Sequence, residues 1–243
     1  MIHPRTFSWP RILAAWGVHA LTASTAVFSF LAILAIMAQE WRTAVVWMGI
    51  AAIIDGFDGA LSRWVDVKRV LPKFDGALLD NIVDYQTYVL VPAFFVYQAQ
   101  LVPPAWLLIV PTLMLMSSGY QFAQTDAKTG DHFFQGFPSY WNVVAIYLML
   151  LRLPTAVNLL VLLACVVLVF VPIKYLYPSR MTRYRLQTLL LSGLWLVMLA
   201  WAMLVYPTHL WLSWASLFFI VYYLGLSLIL TRQMARIKPY SSG

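Results

Sequence analysis

Long apolar runs recur along the whole chain, separated only by short polar or proline-marked breaks. A run of about 20 mostly apolar residues is long enough to cross the roughly 30 Å hydrocarbon core of a bilayer as a helix. The runs predict about eight spans, near residues 11–38, 42–64, 75–99, 103–124, 138–152, 154–176, 185–206 and 209–232. Spans this closely spaced leave no room for a water-facing domain of any size.

Composition favours helices over a membrane β-barrel. The chain is 62% hydrophobic and only 10% charged, whereas about a quarter of the residues in soluble domains are charged. Barrel strands show alternating polarity, but residues 159–171 are apolar without interruption. We therefore expect an all-α polytopic protein with one membrane-embedded domain over residues 1–240. The segment 2–10, which mixes Arg5 with Trp9, is predicted to lie in the interface, and residues 241–243 are interpreted as a cloning remnant.

Basic residues are unequally divided between the two sides that eight spans would create. All 16 Lys and Arg residues except Arg42 and Arg152 fall on the side of the N-terminus. Loops rich in Lys and Arg stay in the cytoplasm, so both termini are predicted to be cytoplasmic. Topology and contact with anionic lipid explain most of the net charge of +7, which gives no reason to expect nucleic-acid binding.

Acidic residues are concentrated in one short part of the chain, since six of the nine lie between positions 55 and 84. Asp55 and Asp58 are three residues apart near the end of the second span. Asp80 and Asp84 are four residues apart near the start of the third. Both spacings place a pair on one helical face. A short loop over residues 64–74 would make the two helices antiparallel neighbours and bring the four carboxylates together.

Four carboxylates at the edge of a bilayer need a positive partner, because like charges destabilise one another and an intramembrane charge costs a few kcal/mol. No Lys or Arg stands between the members of either pair. A site of oxygen ligands alone suits a hard cation such as Mg²⁺, Mn²⁺ or Ca²⁺. The sequence therefore predicts one or two divalent cations, which in other proteins neutralise charge on a phosphoryl group during its transfer.

Glycines at positions 56, 59 and 76 flank these acids. Each costs about 1 kcal/mol in a helix relative to alanine unless a ligand or another backbone approaches closely. Gly59 and Gly76 could open a slot between the helices for a flat base, with Arg63 one turn beyond Gly59 to meet phosphate. Tight helix packing is the alternative explanation, and for Gly56 the two readings stay equally open.

The acids, glycines and arginine stand in a known order. Residues 55–63 read Asp-Gly-Phe-Asp-Gly-Ala-Leu-Ser-Arg, and residues 76–84 read Gly-Ala-Leu-Leu-Asp-Asn-Ile-Val-Asp. They resemble the signature of the CDP-alcohol phosphotransferase family, D-x-x-D-G-x-x-A-R and then G-x-x-x-D-x-x-x-D, from which only Ser62 departs. The twelve-residue spacer over 64–75 is longer than in most members. It is similar to a bacterial subfamily that joins choline to CDP-diacylglycerol and releases CMP, as are the segments 18–25 and 85–92.

The resemblance implies a role for each matching position. Metal binding would fall to Asp55, Asp58, Asp80 and Asp84, with Asp84 also acting as the general base. The CDP-lipid would be bound by Gly59, Ser62, Arg63 and Gly76, and by Thr22 on the first span. The resemblance further implies two Mn²⁺ or Mg²⁺ ions, CDP-diacylglycerol and choline as substrates, a homodimer, and the inner membrane of a bacterium.

Choline carries a quaternary ammonium, which aromatic faces and an anion recognise. The part of the chain around the fifth span offers Phe137, Tyr140 and Trp141 with Asp131 nearby, and no Lys or Arg occurs between positions 128 and 152. Tyr85, beside the predicted base, is a further candidate. Aromatic residues also gather at every membrane interface, so a simple interfacial belt stays the stronger alternative.

Two other readings are kept open. One is a sister enzyme that uses the same lipid donor with serine, inositol or glycerol phosphate. The other is a cation-coupled transporter, which would also place acids in the membrane, although usually nearer its middle than Asp55 and Asp84. His19 is interpreted as an interface or packing residue because the four histidines lack ligand spacing. Asp66 and Asp75 are expected to face Lys68 and Lys73.

Overall fold

A computed structural model describes residues 7–124, 133–176 and 184–237. These residues are almost entirely helical, which confirms an all-α polytopic membrane protein. The helices are α1 (Trp9–Met37), α2 (Trp41–Val65), α3 (Val67–Val70), α4 (Gly76–Tyr85), a π-helix (Gln86–Leu90), α5 (Val91–Gln98), α6 (Ile109–Ala123), α7 (Trp141–Leu151), α8 (Thr155–Phe170), α9 (Arg185–Leu204) and α10 (Leu210–Ile237). A 3₁₀ turn, Pro104–Trp106, precedes α6.

Each predicted span contains helix, but the helices differ in length. Five helices of the described chain are long and apolar enough to cross a membrane: Trp9–Met37, Trp41–Val65, Pro104–Ala123, Arg185–Leu204 and Leu210–Ile229. The shorter apolar helices α7 and α8 occupy the fifth and sixth predicted spans, and α4, the π-helix and α5 together occupy the third. A multi-pass protein is thus shown, while eight crossings stay a prediction.

The structure divides into two compact units, residues 1–91 and residues 92–243. The prediction of one domain is not decided by this division. In the first unit α1 packs along α2, and α4 also contacts α1. Pro10 stands in the first turn of α1, where its missing N–H costs nothing.

A short helix occupies the loop that joins α2 to α4. Asp66 ends α2 with a φ of 60°, a left-handed conformation that aspartate tolerates better than most residues. The next four residues form α3, whose Val67 and Val70 are buried with Ala15 and Val18 of α1. The long spacer is therefore an ordered, packed segment, where the sequence had indicated only a loop.

The two acids of this segment do not face the lysines that the sequence suggested. Asp66 pairs with Arg69 at 3.2 Å and with Arg11 at 3.7 Å. Asp75 accepts a hydrogen bond of 3.0 Å from the backbone N–H of Leu78, so it caps the start of α4. The prediction of pairing with Lys68 and Lys73 was wrong because position 69 stands one turn after Asp66, on the same helical face.

Directly after α4, the hydrogen bonding of the chain changes from the α pattern to the π pattern. The N–H of Val91 donates to the carbonyl of Gln86, five residues earlier, so the turn is wider than in an α-helix. Pro92 stands just beyond and has no N–H to donate in the α pattern. A widened turn accommodates that missing donor, and such turns are frequent at functional sites.

The second unit contains α6 to α10 and a two-stranded antiparallel ribbon, β1 (Phe133–Gln135) with β2 (Lys174–Leu176). Gly136 follows β1 with a φ of +78°, and a Cβ there would overlap the carbonyl oxygen of Val169 on α8. Only glycine fits this turn, which ties the ribbon to the end of α8.

Candidate active site

Three aspartates from two helices meet in the first unit. Asp55 of α2 and Asp80 and Asp84 of α4 each offer a carboxylate oxygen, and the three oxygens lie within 4.8 Å of one another. All three side chains are half-buried. Oxygens bound to Mn²⁺, Mg²⁺ or Ca²⁺ at about 2.0 to 2.6 Å are separated by at most about 4 to 5 Å. The cluster therefore fits one hard divalent cation in both geometry and ligand chemistry.

The fourth aspartate of the motif is arranged differently. Asp58 is only 5% exposed, and its Oδ2 accepts a hydrogen bond of 2.6 Å from the hydroxyl of Thr22 on α1. It stands one turn from Asp55 on α2 and interacts electrostatically with that residue. Asp58 is thus buried between α1 and α2, while the other three carboxylates form the open cluster.

Thr22 is placed here by the packing of α1 against α2. The sequence assigned it to the CDP-lipid site, but the structure shows its hydroxyl bound to Asp58. Buried charges are retained in membranes when another polar group satisfies them. Thr22 therefore holds the Asp58 carboxylate in place, and whether it also contacts a ligand stays a prediction.

Two residues that the sequence analysis missed, Tyr88 and Thr87, connect the π-helix to the acids and to α1. Tyr88 of the π-helix donates a hydrogen bond of 2.7 Å to Oδ2 of Asp55. Next to it, the hydroxyl of Thr87 is 2.8 Å from that of Ser29 on α1, in a buried contact. Position 88 stands four residues after Asp84 and eight after Asp80, so the spacing that groups these two acids also indicates that Tyr88 shares their helical face. That signal was available in the sequence, whereas the π-helix that carries Tyr88 was not predicted.

The three motif glycines have different surroundings. Among the described residues, nothing would lie within 4 Å of a Cβ at Gly56, and at Gly59 only the guanidinium of Arg63 would, at 3.5 Å. Close helix packing therefore does not account for Gly56 or Gly59. Arg63 is exposed and folds back over Gly59, and Ser62 beside it is half-buried. This arrangement leaves open space along α2, next to the carboxylates.

Gly76 is explained by a histidine. A Cβ at Gly76 would lie 2.5 Å from Cε1 of His19 on α1. The imidazole is buried, and its ring centroid is 4.3 Å from that of Phe74, so it has little freedom to move away. The packing role expected for His19 is observed, and its unexpected feature is an Nε2 that is buried without a hydrogen-bond partner among the described residues.

Replacing Gly76 with alanine is expected to destabilise the protein by about 1 to 3 kcal/mol, as overpacked cores do. The added methyl collides with the ring of His19, so His19→Ala should restore the melting temperature of the Gly76→Ala variant in part. Gly56→Ala, with open space around it, serves as the matched control. Equal melting temperatures for Gly76→Ala and Gly56→Ala would contradict the packing argument.

The aromatic candidates for choline lie in different places. Tyr85 follows Asp84 directly and is half-buried in the first unit. In the second unit, Trp141 is 0% exposed and its indole N–H donates to the hydroxyl of Ser118 at 2.7 Å. Phe137 and Tyr140 are half-buried, and Asp131 lies outside the described residues.

These surroundings separate the aromatic candidates by accessibility. The ring centroids of Phe137 and Trp141 are 5.1 Å apart, in an edge-to-face arrangement. Trp141 therefore has no exposed face to offer a cation. Tyr85, Tyr140 and Phe137 keep part of their surface open.

Comparison with known proteins agrees with the motif. A family model described as CDP-alcohol phosphatidyltransferase matches residues 18–171, more than half of the chain. This range includes every motif residue from Asp55 to Asp84 together with Thr22. The resemblance inferred from the signature is confirmed.

Three similar proteins share one name, phosphatidylcholine synthase. The protein of Legionella pneumophila is 44% identical over 176 residues, which cover 72% of this chain and 69% of that protein. That of Pseudomonas aeruginosa is 39% identical over 183 residues, covering 75% and 77%. That of Rhizobium johnstonii is 36% identical over 222 residues, covering 89% and 90%.

Proposed function

The chain belongs to the CDP-alcohol phosphatidyltransferase family, and on that premise we propose that it works as a phosphatidylcholine synthase. It is a membrane transferase of phospholipid biosynthesis. It transfers the phosphatidyl group of CDP-diacylglycerol to choline and releases CMP. The main support for this proposal is that carboxylate oxygens of Asp55, Asp80 and Asp84 lie within 4.8 Å of one another. These residues belong to the motif that the family model matches.

The three clustered carboxylates are proposed to hold a divalent cation, Mn²⁺ or Mg²⁺. Asp58, held by Thr22, is proposed to help Asp55 hold a second ion. Such cations, when bound, neutralise negative charge on the phosphates and on the departing CMP. The protein's contribution is to fix the carboxylates before substrate arrives, with hydrogen bonds from Thr22 and Tyr88.

Asp84 is proposed as the general base. The hydroxyl oxygen of choline attacks the phosphorus that carries the diacylglycerol, and the hydroxyl proton passes to a carboxylate oxygen of Asp84. A new phosphorus–oxygen bond forms as the bond to CMP breaks, and CMP leaves with the electron pair. Asp84 is half-buried beside the other two acids, so it lies where the reacting phosphate would be held.

The lipid donor is proposed to bind along the open side of α2. Gly59 gives room for its nucleotide, since Arg63 alone among the described residues would lie within 4 Å of a Cβ there. The guanidinium of Arg63 is exposed and would pair with phosphate oxygens. Ser62 and Gly76 would complete this side, with Gly76 allowing α4 to approach α1 at His19.

Choline is proposed to be recognised by aromatic rings, with Tyr85 the first candidate because it adjoins Asp84. We expect Tyr85→Ala to raise the KM for choline about 2- to 30-fold, the equivalent of about 0.5 to 2 kcal/mol for a cation–π contact. The KM for CDP-diacylglycerol should change little. Tyr85→Phe keeps the ring and is the matched control. Equal effects of Tyr85→Ala on both KM values would remove Tyr85 from the choline site.

The aromatic residues of the second unit are the other candidates. Phe137 and Tyr140 are proposed from the sequence together with Asp131, and both keep part of their surface open. Trp141 is a weaker candidate because it is fully buried and its N–H is already satisfied. Its replacement would lower stability as well as binding, so the KM of such a variant must be measured on folded protein.

The multi-pass protein is proposed to lie in the inner membrane of a bacterium with both termini in the cytoplasm. The positions of the Lys and Arg residues support this orientation, because only Arg42 and Arg152 would lie on the opposite side. A homodimer is proposed from the family resemblance alone.

An acceptor screen tests the function. Purified protein in vesicles that contain CDP-diacylglycerol and Mn²⁺ is supplied with choline, serine, inositol or glycerol phosphate, and CMP release and lipid product are measured. Choline alone should support both. A faster reaction with another alcohol would assign the protein to a sister activity. Choline entering the vesicles at the same rate without CDP-diacylglycerol, and with no CMP released, would favour the transporter.

A further inference from the structure

The phenol of Tyr88 is the group outside the family motif that touches the carboxylate cluster through a described contact. Its O–H lies 2.7 Å from Oδ2 of Asp55, a distance typical of a strong hydrogen bond to a charged acceptor. An ionised carboxylate only accepts hydrogen bonds, so the phenol is the donor. The bond ties the Asp55 carboxylate to the π-helix while Asp55 also offers an oxygen to the cluster with Asp80 and Asp84.

Tyr88 lies on the π-helix, four residues after Asp84. Residues 87 and 88 are neighbours in sequence but contact different helices: Thr87 meets Ser29 of α1, and Tyr88 meets Asp55 of α2. The Thr87 contact is buried at both ends, so it fixes the rotation of the widened turn. The Thr87–Ser29 contact thereby keeps the Tyr88 side chain beside Asp55.

We propose that Tyr88 is a positioning residue that presents Asp55 to the divalent cation of the active site. This inference rests on the proposed function. Groups that hydrogen-bond to metal ligands fix the orientation of those ligands, and their removal typically costs about 10- to 100-fold in metal affinity. Tyr88 has this role because three carboxylates within 4.8 Å repel one another before an ion arrives. The hydrogen bond from Tyr88 keeps the Asp55 carboxylate from turning away from the other two carboxylates.

The test is Tyr88→Phe, which removes one oxygen atom and keeps the ring. Mn²⁺ binding to purified protein without substrates is followed by the electron paramagnetic resonance signal of free Mn²⁺. We expect the Mn²⁺ affinity to fall about 10- to 100-fold, with the melting temperature of the metal-free protein nearly unchanged. Activity should be lost at low Mn²⁺ and should return towards that of the unaltered protein at high Mn²⁺.

Tyr97→Phe is the matched control, since Tyr97 is an exposed tyrosine of α5 outside the first unit. It should leave both Mn²⁺ affinity and activity unchanged. Unchanged Mn²⁺ affinity in Tyr88→Phe would overturn the inference, as would a lower melting temperature with an unshifted Mn²⁺ dependence, or a change in choline KM alone. These outcomes leave the proposed function standing, whereas an unaltered protein that binds no Mn²⁺ would overturn its metal site and this inference together.

Discussion

Asp84→Asn is expected to abolish phosphatidyl transfer while leaving metal-dependent binding of CDP-diacylglycerol largely intact. Asparagine has nearly the shape of aspartate and keeps one carbonyl oxygen that can face a cation, but it cannot take up the proton of choline. Loss of a general base lowers turnover by about 10²- to 10⁴-fold. At saturating Mn²⁺ the effect should fall on kcat, because the metal site is then filled and only the acceptor of the choline proton is missing.

Two measurements on the Asp84→Asn variant separate the base from a purely structural role. CMP release gives kcat, and a fluorescent or labelled CDP-lipid gives the Mn²⁺-dependent dissociation constant. Asp75→Asn is the matched control, since Asp75 caps α4 by accepting from Leu78 and asparagine caps a helix equally well. Near-normal turnover of Asp84→Asn would show that another group accepts the proton.

The outline of the fold and the members of the site follow from simple periodicities in the sequence. Apolar runs of membrane length locate the helices, and spacings of three and four residues put the acids on shared helical faces. The short connection between the second and third spans makes α2 and α4 neighbours. These facts suffice to predict that acids of the two helices meet, as Asp55 does with Asp80 and Asp84.

Sequence reasoning could not divide the four acids into three clustered carboxylates and one that is buried. Asp55 and Asp58 have the same chemistry and stand one turn apart, so the pattern treats them alike. Their difference comes from α1, which brings Thr22 within 2.6 Å of Asp58. Contacts between helices depend on rotation about each axis, and a list of apolar runs does not fix that rotation.

Tyr88 and α3 were missed for different reasons. Tyr88 stands four residues after Asp84 and so shares its helical face, but it lies outside the motif, and the π-helix at Gln86–Leu90 from which it reaches Asp55 has no signature in the spacing. The segment that became α3 carries Lys68 and Arg69 and reads as a polar loop. Its two valines fold it against α1, a long-range contact that local sequence does not reveal.

Asp80→Asn is expected to have the largest effect on the metal site. Asp80 supplies one of three carboxylates that converge within 4.8 Å, and a bound cation contributes several kcal/mol to stabilising the charge of the transition state. Loss of that contribution lowers the rate by about 10³-fold or more, since each 1.36 kcal/mol is tenfold.

Stability should distinguish loss of a metal ligand from loss of the fold in Asp80→Asn. Without metal, removing one of three mutually repelling charges should leave the melting temperature equal to or above that of the unaltered protein. Added Mn²⁺ should raise the melting temperature of the unaltered protein and hardly that of the variant, because ligand binding stabilises only the state that binds. Asp66→Asn, which alters a surface ion pair with Arg69, should respond to Mn²⁺ as the unaltered protein does. If Asp80→Asn gains as much stability from Mn²⁺ as the control, Asp80 is not a ligand of the cation.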